Sequence, residues 1–555
     1  MQSAEWPVPP QVLMPTALLI VYLVYNYLIF PTPHSIAKLR FLNGEPGEWA
    51  PHLRALYRNT LDLKKTLHLH HTQHKNETVR VPILGPGQNN LILLPSAERK
   101  WLVSQPDSVA SMHEQTINHF QWDLGTIYPT RDHNEVTIHI VATKLTREMG
   151  NLIPALSEEL ELALAKHWGD EDDAASGGNE WKEVGVYDTL RPIVSQAINR
   201  IFIGETHCRD EEVLDTGFYY SKVIPLEANL LWLLPTPLRR LLAPLVTLPS
   251  RWCERKWFRL TIDEVRRRLE ARGHRQHGKG SETGDWQHEG EADKHDLLSW
   301  FIAYGESQGD PYLLDPEVLS ARILLLNAFA LHTNVFAIMH MVLDIVGSGA
   351  EQGPKIVAQL RQEINEVRAA HGEDQGWNKR SLAQLERLDS SFRESQRINT
   401  ILSLGPLRIV GKDGLTTPSG VRIPRGYQVG IPTYSIHFDT DIYGPDAEEF
   451  KPFRFYYRRK DARGTGDNLK GARQAWATTS ADYLSFGAGL NSCPGRFFAS
   501  GMLKVLMANI LQRYDFEFQE KRPENLWFGT NHIPPMSAKI RIRRRRREFS
   551  EQTDY

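Results

Sequence analysis

The pattern of hydrophobic and polar positions separates a short apolar segment at the N-terminus from a long, mixed body. No Lys, Arg, Asp or Glu occurs from Trp6 to Ala37, and Gln11–Phe30 is a run of twenty mostly apolar residues. Twenty helical residues span about 30 Å, the thickness of the hydrocarbon core of a bilayer. Basic residues follow the run at Lys38 and Arg40. The pattern therefore predicts a membrane-spanning helix with a lumenal N-terminus and a cytosolic body.

Four segments follow from this interpretation. They are a lumenal N-terminus (1–10), a transmembrane signal-anchor (11–30), a proline-rich linker (31–40) and a cytosolic body (41–555). Two prolines predict that residues 30–34 are stiff and non-helical. A cleaved secretory signal is the first alternative for the apolar run, but it needs a positively charged start and a small-residue cleavage site. A buried core helix is the second alternative, and the position of the run at the terminus disfavours it.

Within the body, two periodicities predict helices and strands in different places. Residues 78–84 and 90–94 are strand-like runs on either side of a Gly-Pro-Gly turn, which predicts a hairpin. Helical spacing dominates residues 135–404, and strands recur in residues 407–431. Two polar, glycine-containing stretches are predicted as surface loops, 169–180 and 273–295. The pattern predicts one mainly α domain with small β-sheets.

Composition and charge narrow the class of protein. The 555 residues include 65 basic and 67 acidic side chains, a balance that argues against a nucleic-acid partner bound through a globally basic surface. Three cysteines cannot form a disulfide framework or a four-thiolate zinc site, so each is interpreted singly. Cys208 and Cys253 are predicted to be core or interface thiols. The histidines of residues 68–74 are predicted to lie on a solvated helix and not in a metal site.

The most informative stretch runs from Phe486 to Arg496. Its glycines allow a tight turn and a close approach to a flat ligand, and Cys493 directly precedes a helical pattern. A thiol at a helix N-terminus lies near the positive end of the dipole, which predicts a lowered pKa and a metal-ligating thiolate. A buried, inert cysteine is the alternative. A dinucleotide-binding turn does not fit, because the glycines miss the G-x-G-x-x-G spacing.

The spacing F-x-x-G-x-x-x-C-x-G, at Phe486, Gly489, Cys493 and Gly495, resembles the haem-binding signature of the cytochrome P450 family. The resemblance implies that Cys493 is the axial ligand of a haem iron. It also implies that Phe486, Gly489 and Gly495 form the loop that holds the haem.

Two further elements of the family pattern occur upstream in the required order. Glu394 and Arg397 match its E-x-x-R on a helix, where positions i and i+3 share a face. Arg454 lies in Pro452–Phe455, which resembles the family's P-x-R-F. The resemblance implies that these three residues form a buried triad that braces the haem-binding loop, since one unpaired charge there would be costly.

A third element lies on the long apolar helix predicted for residues 322–346. Phe329–Asn334 occupies the place of the family's [A/G]-G-x-[D/E]-T-[T/S], with Ala330 for the glycine, His332 for the acid and Thr333 retained. The resemblance implies that Thr333 and His332 are catalytic, with His332 relaying protons within its usual titration range. The Ala-x-His-Thr form is similar to fungal members that oxidise terpenoids and other specialised metabolites.

Other haem contacts are less regular. Arg408 matches a propionate-binding arginine. Asn491 stands where the family often carries Arg or His, and it brings a hydrogen-bond donor without a charge. The family's W-x-x-x-R is not found here, and His139 and Lys144 are its possible substitutes.

The resemblance covers roughly Thr78 to Arg545 and implies the cytochrome P450 fold in a single large haem domain. It implies haem b (iron protoporphyrin IX) as cofactor and electrons from NADPH through NADPH–cytochrome P450 reductase, with cytochrome b5 as a second candidate partner. Together with the anchor, it implies a single-pass protein of the endoplasmic reticulum membrane. By the family layout, five largely apolar segments line the pocket of a lipophilic substrate: Ser104–Tyr128, Tyr219–Leu234, Asn327–Asn334, Ile401–Leu407 and Phe528–Pro535.

Three functions remain open from the sequence. The first is a monooxygenase of specialised metabolism. The second is a haem-thiolate enzyme of oxidative coupling, rearrangement or isomerisation without net oxygen insertion, which Ala330 and Asn334 would suit. The third is a membrane-anchored scaffold without haem, which the intact motifs disfavour.

Overall fold

The structure is a computed structural model that describes residues 32–545, apart from 46, 128–130, 170–179, 278–294 and 373–374. The predicted lumenal segment and signal-anchor lie outside the described residues. So do most of the two predicted polar loops.

Helices make up most of the described chain. In chain order they are α1 (His34–Ala37), α2 (Pro51–Leu61), α3 (Leu63–Gln73), α4 (Pro86–Asn89), α5 (Arg99–Ser104), α6 (Met112–Phe120), α7 (Trp122–Gly125), α8 (Arg131–Ile140), α9 (Thr146–Trp168), α10 (Val186–Phe202), α11 (Glu205–Cys208), α12 (Glu211–Trp232), α13 (Thr236–Val246), α14 (Leu248–His277), α15 (Leu297–Gln308), α16 (Pro316–Val346), α17 (Gly349–His371), α18 (Lys379–Gln384), α19 (Glu386–Ile398), α20 (Thr433–His437), α21 (Thr440–Tyr443), α22 (Arg454–Gly464), α23 (Asn468–Ala472) and α24 (Arg496–Arg513).

The strands are short and form small sheets. They are β1 (Arg40–Phe41), β2 (Val79–Pro82), β3 (Asn90–Leu93), β4 (Ala110–Ser111), β5 (Lys182–Gly185), β6 (Arg408–Val410), β7 (Leu415–Thr416), β8 (Arg422–Ile423), β9 (Gln428–Gly430), β10 (Tyr514–Phe516), β11 (Leu526–Phe528), β12 (Asn531–Ile533) and β13 (Lys539–Arg544). The largest sheet has the order β1-β2-β3-β9-β6-β4, and β10-β13-β5, β11-β12 and β7-β8 form the others. Strand β3 pairs in parallel with β9, with Leu91 opposite Gln428.

Helix α16 lies at the centre of the main hydrophobic core. It packs against α10, α12, α14 and α19, and most of its side chains are buried. Asp315 caps its N-terminus, accepting hydrogen bonds from the backbone N–H groups of Glu317 and Val318. Within the described ranges, α16 is the one helix long and apolar enough to cross a membrane, but its burial identifies it as a core helix.

The predicted mainly α fold with small sheets is confirmed, and so is the hairpin, since β2 and β3 pair antiparallel. Cys208 and Cys253 are buried, as predicted.

Three local predictions are wrong. Helix α1 begins at His34, the last residue of the stretch predicted to be non-helical, because Ile36 packs into the core. Helix α14 extends to His277, into the predicted loop. The histidine-rich helix α3 is only partly solvated, because His70 is fully buried.

Candidate functional site

The loop around Cys493 is held by backbone hydrogen bonds and needs glycine at two positions. The Cys493 N–H donates to the Phe486 carbonyl at 2.8 Å, and Arg496 Nη1 donates to the Cys493 carbonyl at 2.7 Å. Gly487 and Gly489 both adopt a φ of +70°, which side chains other than glycine disfavour. A Cβ on Gly489 would also lie 2.9 Å from the carbonyl oxygen of Val103. The glycines therefore let the loop turn and pack against α5.

The thiol of Cys493 lies among protein atoms yet remains accessible. Its side chain is exposed, while burial is the largest influence on its pKa and raises it. The backbone N–H groups of Gly495 and Arg496 and the Arg496 charge oppose this rise without overcoming it. The predicted lowering of the pKa is therefore wrong for the thiol alone, because burial outweighs the helix terminus. A coordinated metal ion would deprotonate the thiol outright.

Exposed side chains on the central helix indicate an open internal space. On α16, whose other side chains are mostly buried, Phe329 is 37% exposed and Thr333 is also exposed. Leu402 is 49% exposed although Ser403 and Leu404 beside it are fully buried. Helix α16 also contacts α24, the helix that follows Cys493.

Aromatic rings close one side of this space. Phe329 makes edge-on contacts with Phe120 and Trp122, at centroid distances of 5.9 and 5.1 Å, and Phe120 stacks on Trp122 at 5.2 Å. The three rings connect α16 to the segment that contains α6 and α7. They give the wall beside Thr333 an apolar, aromatic surface.

Thr333 and Asn334 both donate hydrogen bonds to the backbone carbonyl of Ala330. Thr333 Oγ1 lies 2.9 Å from the Phe329 carbonyl and 3.2 Å from that of Ala330, and Asn334 Nδ2 lies 2.8 Å from the latter. Asn334 Oδ1 is buried and has no hydrogen-bond partner among the described residues. The Thr333 hydroxyl is thus oriented by its own helix, and its oxygen can accept a hydrogen bond from a proton donor.

His332 lies between the aromatic rings of two helices. Its ring is 5.0 Å from that of Phe218 on α12 and 5.5 Å from that of Phe336. Burial, followed by the charges of Lys222 and Arg191, lowers the pKa of His332 to about 4. The predicted titration near neutral pH is therefore wrong, since the imidazole stays uncharged there. Its buried Nδ1 has no partner in the described part of the chain.

Glu394, Arg397 and Arg454 meet in one buried network. Arg397 Nε and Nη2 each donate to the Glu394 carboxylate at 2.8 Å, and Arg454 Nε donates to it at 2.9 Å. Arg397 Nη1 also donates to the carbonyls of His437 and Ala447, at 2.6 and 2.7 Å. The network therefore ties α19 to the segment between α20 and α22, and it satisfies the donors that burial would otherwise penalise.

Sequence reasoning missed His437, which connects this network to the cysteine loop. His437 Nδ1 lies 3.0 Å from the Arg397 carbonyl, so it is the protonated nitrogen. His437 Nε2 accepts a hydrogen bond of 2.9 Å from the backbone N–H of Leu484, two residues before Phe486. Burial, followed by the Arg397 charge, lowers the pKa of His437 to about 3. A single histidine without a local motif gives no sequence signal of such a role.

Arg408 is a buried cation with unused donors. It lies on β6, fully buried, and its Nη1 donates to the Ala110 carbonyl at 3.1 Å. Its Nε and Nη2 have no hydrogen-bond partner among the residues that the structure describes. A buried guanidinium with two free donors is costly unless an anion completes it. The propionate of a haem has the required charge, so Arg408 fits the expected group.

The remaining predicted haem contacts lie at or near the same loop. Asn491 is half-buried at the end of the short 3-10 turn that starts at Gly489. A Cβ added at Gly495 would lie 4.0 Å from a methyl group of Val141, the residue that begins a π-helical turn, a feature frequent at functional sites. His139 and Lys144, on either side of Val141, are both exposed. The structure brings this turn to the cysteine loop without distinguishing between the two side chains.

Comparisons with known proteins agree with this geometry. The Cytochrome P450 family model matches residues 67–540. The chain is 30% identical over 550 residues to the cytochrome P450 monooxygenase gloP of Glarea lozoyensis, covering 96% of each chain. It is 29% identical over 489 residues to the cytochrome P450 monooxygenase tenB of Beauveria bassiana, covering 86% of each. The solved structure of retinoic-acid-bound cyanobacterial CYP120A1 is similar in fold, with a TM-score of 0.60, 18% identity and coverage of 92% and 100%.

Proposed function

Since this chain belongs to the cytochrome P450 family and is one of its monooxygenases, we propose that it oxidises a lipophilic specialised metabolite with O2 and NADPH-derived electrons. The observations that carry the proposal are the accessible Cys493 thiol in its glycine-containing loop and the exposed Thr333 beside aromatic rings on the central helix. We take the thiol and these side chains to face one space. Phe120, Phe329 and Leu402 offer that space apolar surface, which suits a lipophilic substrate.

Different residues of the site would hold different parts of haem b. Cys493 would ligate the iron, Arg408 would pair with a propionate, and Asn491 would donate a further hydrogen bond. Phe486, Gly489 and Gly495 shape the loop, and the Glu394–Arg397–Arg454 network fixes its support. A haem with a thiolate ligand supplies oxygen activation when bound. The protein orients the substrate, excludes water and delivers protons.

Thr333 is the proposed proton-handling residue, and it gives a direct test. We expect Thr333→Ala to lower the rate of product formation at least about tenfold, because the positioned hydroxyl is lost. Thr333→Ser keeps the hydroxyl and should retain most of the activity at equal haem content. NADPH consumption and product measured together check this, and a Thr333→Ala rate within twofold of wild type would contradict the role.

His332 is proposed to act only as an uncharged imidazole. Its lowered pKa disfavours a protonated relay at neutral pH. Its Nδ1, which has no partner among the described residues, can accept a hydrogen bond from a water or a substrate hydroxyl. His332 is therefore a secondary contact to the proton path, behind Thr333.

The reaction is tested by comparing metabolites in a host that contains NADPH–cytochrome P450 reductase, with and without the protein. We expect one or more lipophilic metabolites to fall and a product carrying one atom of ¹⁸O from ¹⁸O2 to appear. The reductase is the proposed electron donor, and cytochrome b5 is an additional candidate.

A second candidate function is coupling or rearrangement without oxygen insertion. The observation that favours it is the Asn334 amide, which is hydrogen-bonded to the Ala330 carbonyl next to Thr333. A product free of ¹⁸O that still requires NADPH and O2 would indicate oxidative coupling. Turnover that persists without NADPH and O2 would indicate an isomerase.

We propose anchorage in the endoplasmic reticulum membrane by residues 11–30, aided by an apolar face of the body. Helix α13 exposes Leu241 and Leu245, at 72% and 67%, and Leu248 and Trp252 of α14 are exposed beside it. Several exposed apolar side chains on two consecutive helices suit a contact with a membrane. The face therefore supports attachment at a second point.

Removing residues 1–33 should release only part of the protein from membranes. We expect the truncated protein to bind haem and to co-sediment partly with phosphatidylcholine vesicles, because the α13 face remains. Adding Leu241→Ser and Leu245→Ser should move it to the supernatant. Leu469→Ser, at a leucine 75% exposed on α23, is the matched control. If the truncated protein sedimented with vesicles equally with and without Leu241→Ser and Leu245→Ser, the second membrane contact would be contradicted.

A further inference from the structure

A polar network at the C-terminal end of α16 has no part in the site described above. Asp344 pairs with Arg522 Nε, and Arg522 Nη2 donates to His340 Nδ1 at 2.7 Å. Asp344 also accepts from Asn399 Nδ2 at 2.9 Å, at the end of α19. Asp344, His340 and Asn399 are buried, so their polar groups depend on these contacts.

Asn525 extends the network to the β11–β12 hairpin. It accepts from Arg522 Nη1 at 2.8 Å through Oδ1, and its Nδ2 lies 2.7 Å from Asn399 Oδ1 and 2.9 Å from His532 Nε2. His532 belongs to β12, so one amide side chain connects the end of α19 to the hairpin, and it reaches α16 through Arg522. Both the amide nitrogen and the amide oxygen of Asn525 are hydrogen-bonded.

The hairpin in turn holds the segment that carries Leu402. The backbone N–H of His532 donates to the Ile401 carbonyl at 2.9 Å, and Leu402 pairs with Asn531. Ser403 donates to the Thr530 carbonyl through its N–H and its hydroxyl, at 2.9 and 2.8 Å. Both segments are among those expected to line the substrate pocket.

Gly347 shows that Arg522 approaches the helix end closely. A Cβ on Gly347 would lie 2.6 Å from both Cα and Cβ of Arg522. Backbone bonds join the same places, since the Gln519 N–H donates to the Val346 carbonyl at 2.9 Å and the Gly349 N–H donates to the Gln519 carbonyl at 3.1 Å. The chain before the hairpin is therefore fixed on α16.

From these contacts we infer that the Asp344–Arg522–Asn525 network is a positioning device that sets where Leu402 and the tip of the hairpin stand in the pocket. A two-stranded hairpin is marginal alone in water, so its position depends on what anchors it. The network lies beyond the ends of both segments and touches neither Cys493 nor the Glu394 triad by any hydrogen bond described. It therefore acts on the substrate wall and not on haem attachment. This inference rests on the proposed function.

The test compares two iron-binding azoles of different size in the full-length holoenzyme. Imidazole needs only access to the iron, whereas clotrimazole must also pack against the pocket wall. We expect Asn525→Leu, which preserves shape but removes the hydrogen bonds, to weaken clotrimazole at least tenfold and imidazole less than twofold. Arg522→Gln should have the same effect. Lys521→Gln, at an exposed side chain of the same loop, is the control.

Hydrogen exchange supplies a second measurement that needs no ligand. In Asn525→Leu we expect peptides covering residues 401–404 and 530–533 to exchange at least tenfold faster, with peptides of α24 unchanged. Unchanged exchange in the first two peptides, or equal losses of affinity for both azoles, would overturn the inference. If the wild-type protein bound neither haem nor an azole, the proposed function would be wrong. The hydrogen-exchange result would still test whether the network positions the hairpin. If Arg522→Gln does not fold, Asn525→Leu alone decides.

Discussion

Cys493→Ala is expected to abolish the haem-thiolate spectrum and to reduce turnover to background. The accessible thiol is the proposed iron ligand, and no other cysteine can replace it, since Cys208 and Cys253 are buried elsewhere. Burial raises the pKa of both thiols to about 12, so neither is a thiolate at neutral pH. The measurement is the difference spectrum of the reduced protein with carbon monoxide, together with the rate of product formation.

The matched control for this change is Cys253→Ala. It removes a thiol of the core without touching the cysteine loop, so the spectrum should keep its shape and any loss should be one of stability. A Cys493→Ala protein that retains the red-shifted band and its activity would refute the assignment of the ligand. Loss of the band in Cys253→Ala at an unchanged melting temperature would also contradict it.

Arg397→Ala is expected to destabilise the protein by about 3–5 kcal/mol and to lower its haem content. Removing one partner of a buried ion pair is costly because the groups that it satisfied stay buried without it, and Arg454 alone would then face the Glu394 charge. Here the Glu394 carboxylate would lose two of its bonds, and the carbonyls of His437 and Ala447 would lose their donor. Denaturant unfolding and the haem-to-protein ratio of the purified protein measure the two effects.

Arg463→Ala provides the comparison for Arg397→Ala. Arg463 lies on α22 and pairs with Glu386 of α19, the helix that carries Arg397, but its side chain is 55% exposed. Exposed ion pairs contribute about 0–1 kcal/mol, so this change should be close to neutral. If Arg397→Ala were as stable and as rich in haem as Arg463→Ala, the bracing role of the triad would be wrong.

Those parts of the fold that depend on local pattern could be predicted from the sequence. The β2–β3 hairpin followed from two apolar runs around a Gly-Pro-Gly turn, and α16 followed from a long apolar segment. Fixed spacings along the chain also identified the haem-loop motif and the order of Glu394, Arg397 and Arg454.

Properties set by distant neighbours could not be predicted. The pKa of His332 is lowered by burial between side chains of α12 and α16, and no pattern around residue 332 encodes Phe218. The helix terminus beside Cys493 is a local feature and was foreseen, whereas the burial that outweighs it is not. His437 and Asn525 each connect segments far apart in the chain, so only the folded structure reveals them.

The pairing of β3 with β9 has a consequence for how the chain is made. Leu91 pairs with a partner, Gln428, that leaves the ribosome long after it. At about 5–20 residues per second, the intervening chain takes on the order of tens of seconds to synthesise. During that time, one edge of the apolar strand Asn90–Leu93 has no partner within its sheet. Nascent chains of this protein must therefore shield an aggregation-prone edge during most of their translation.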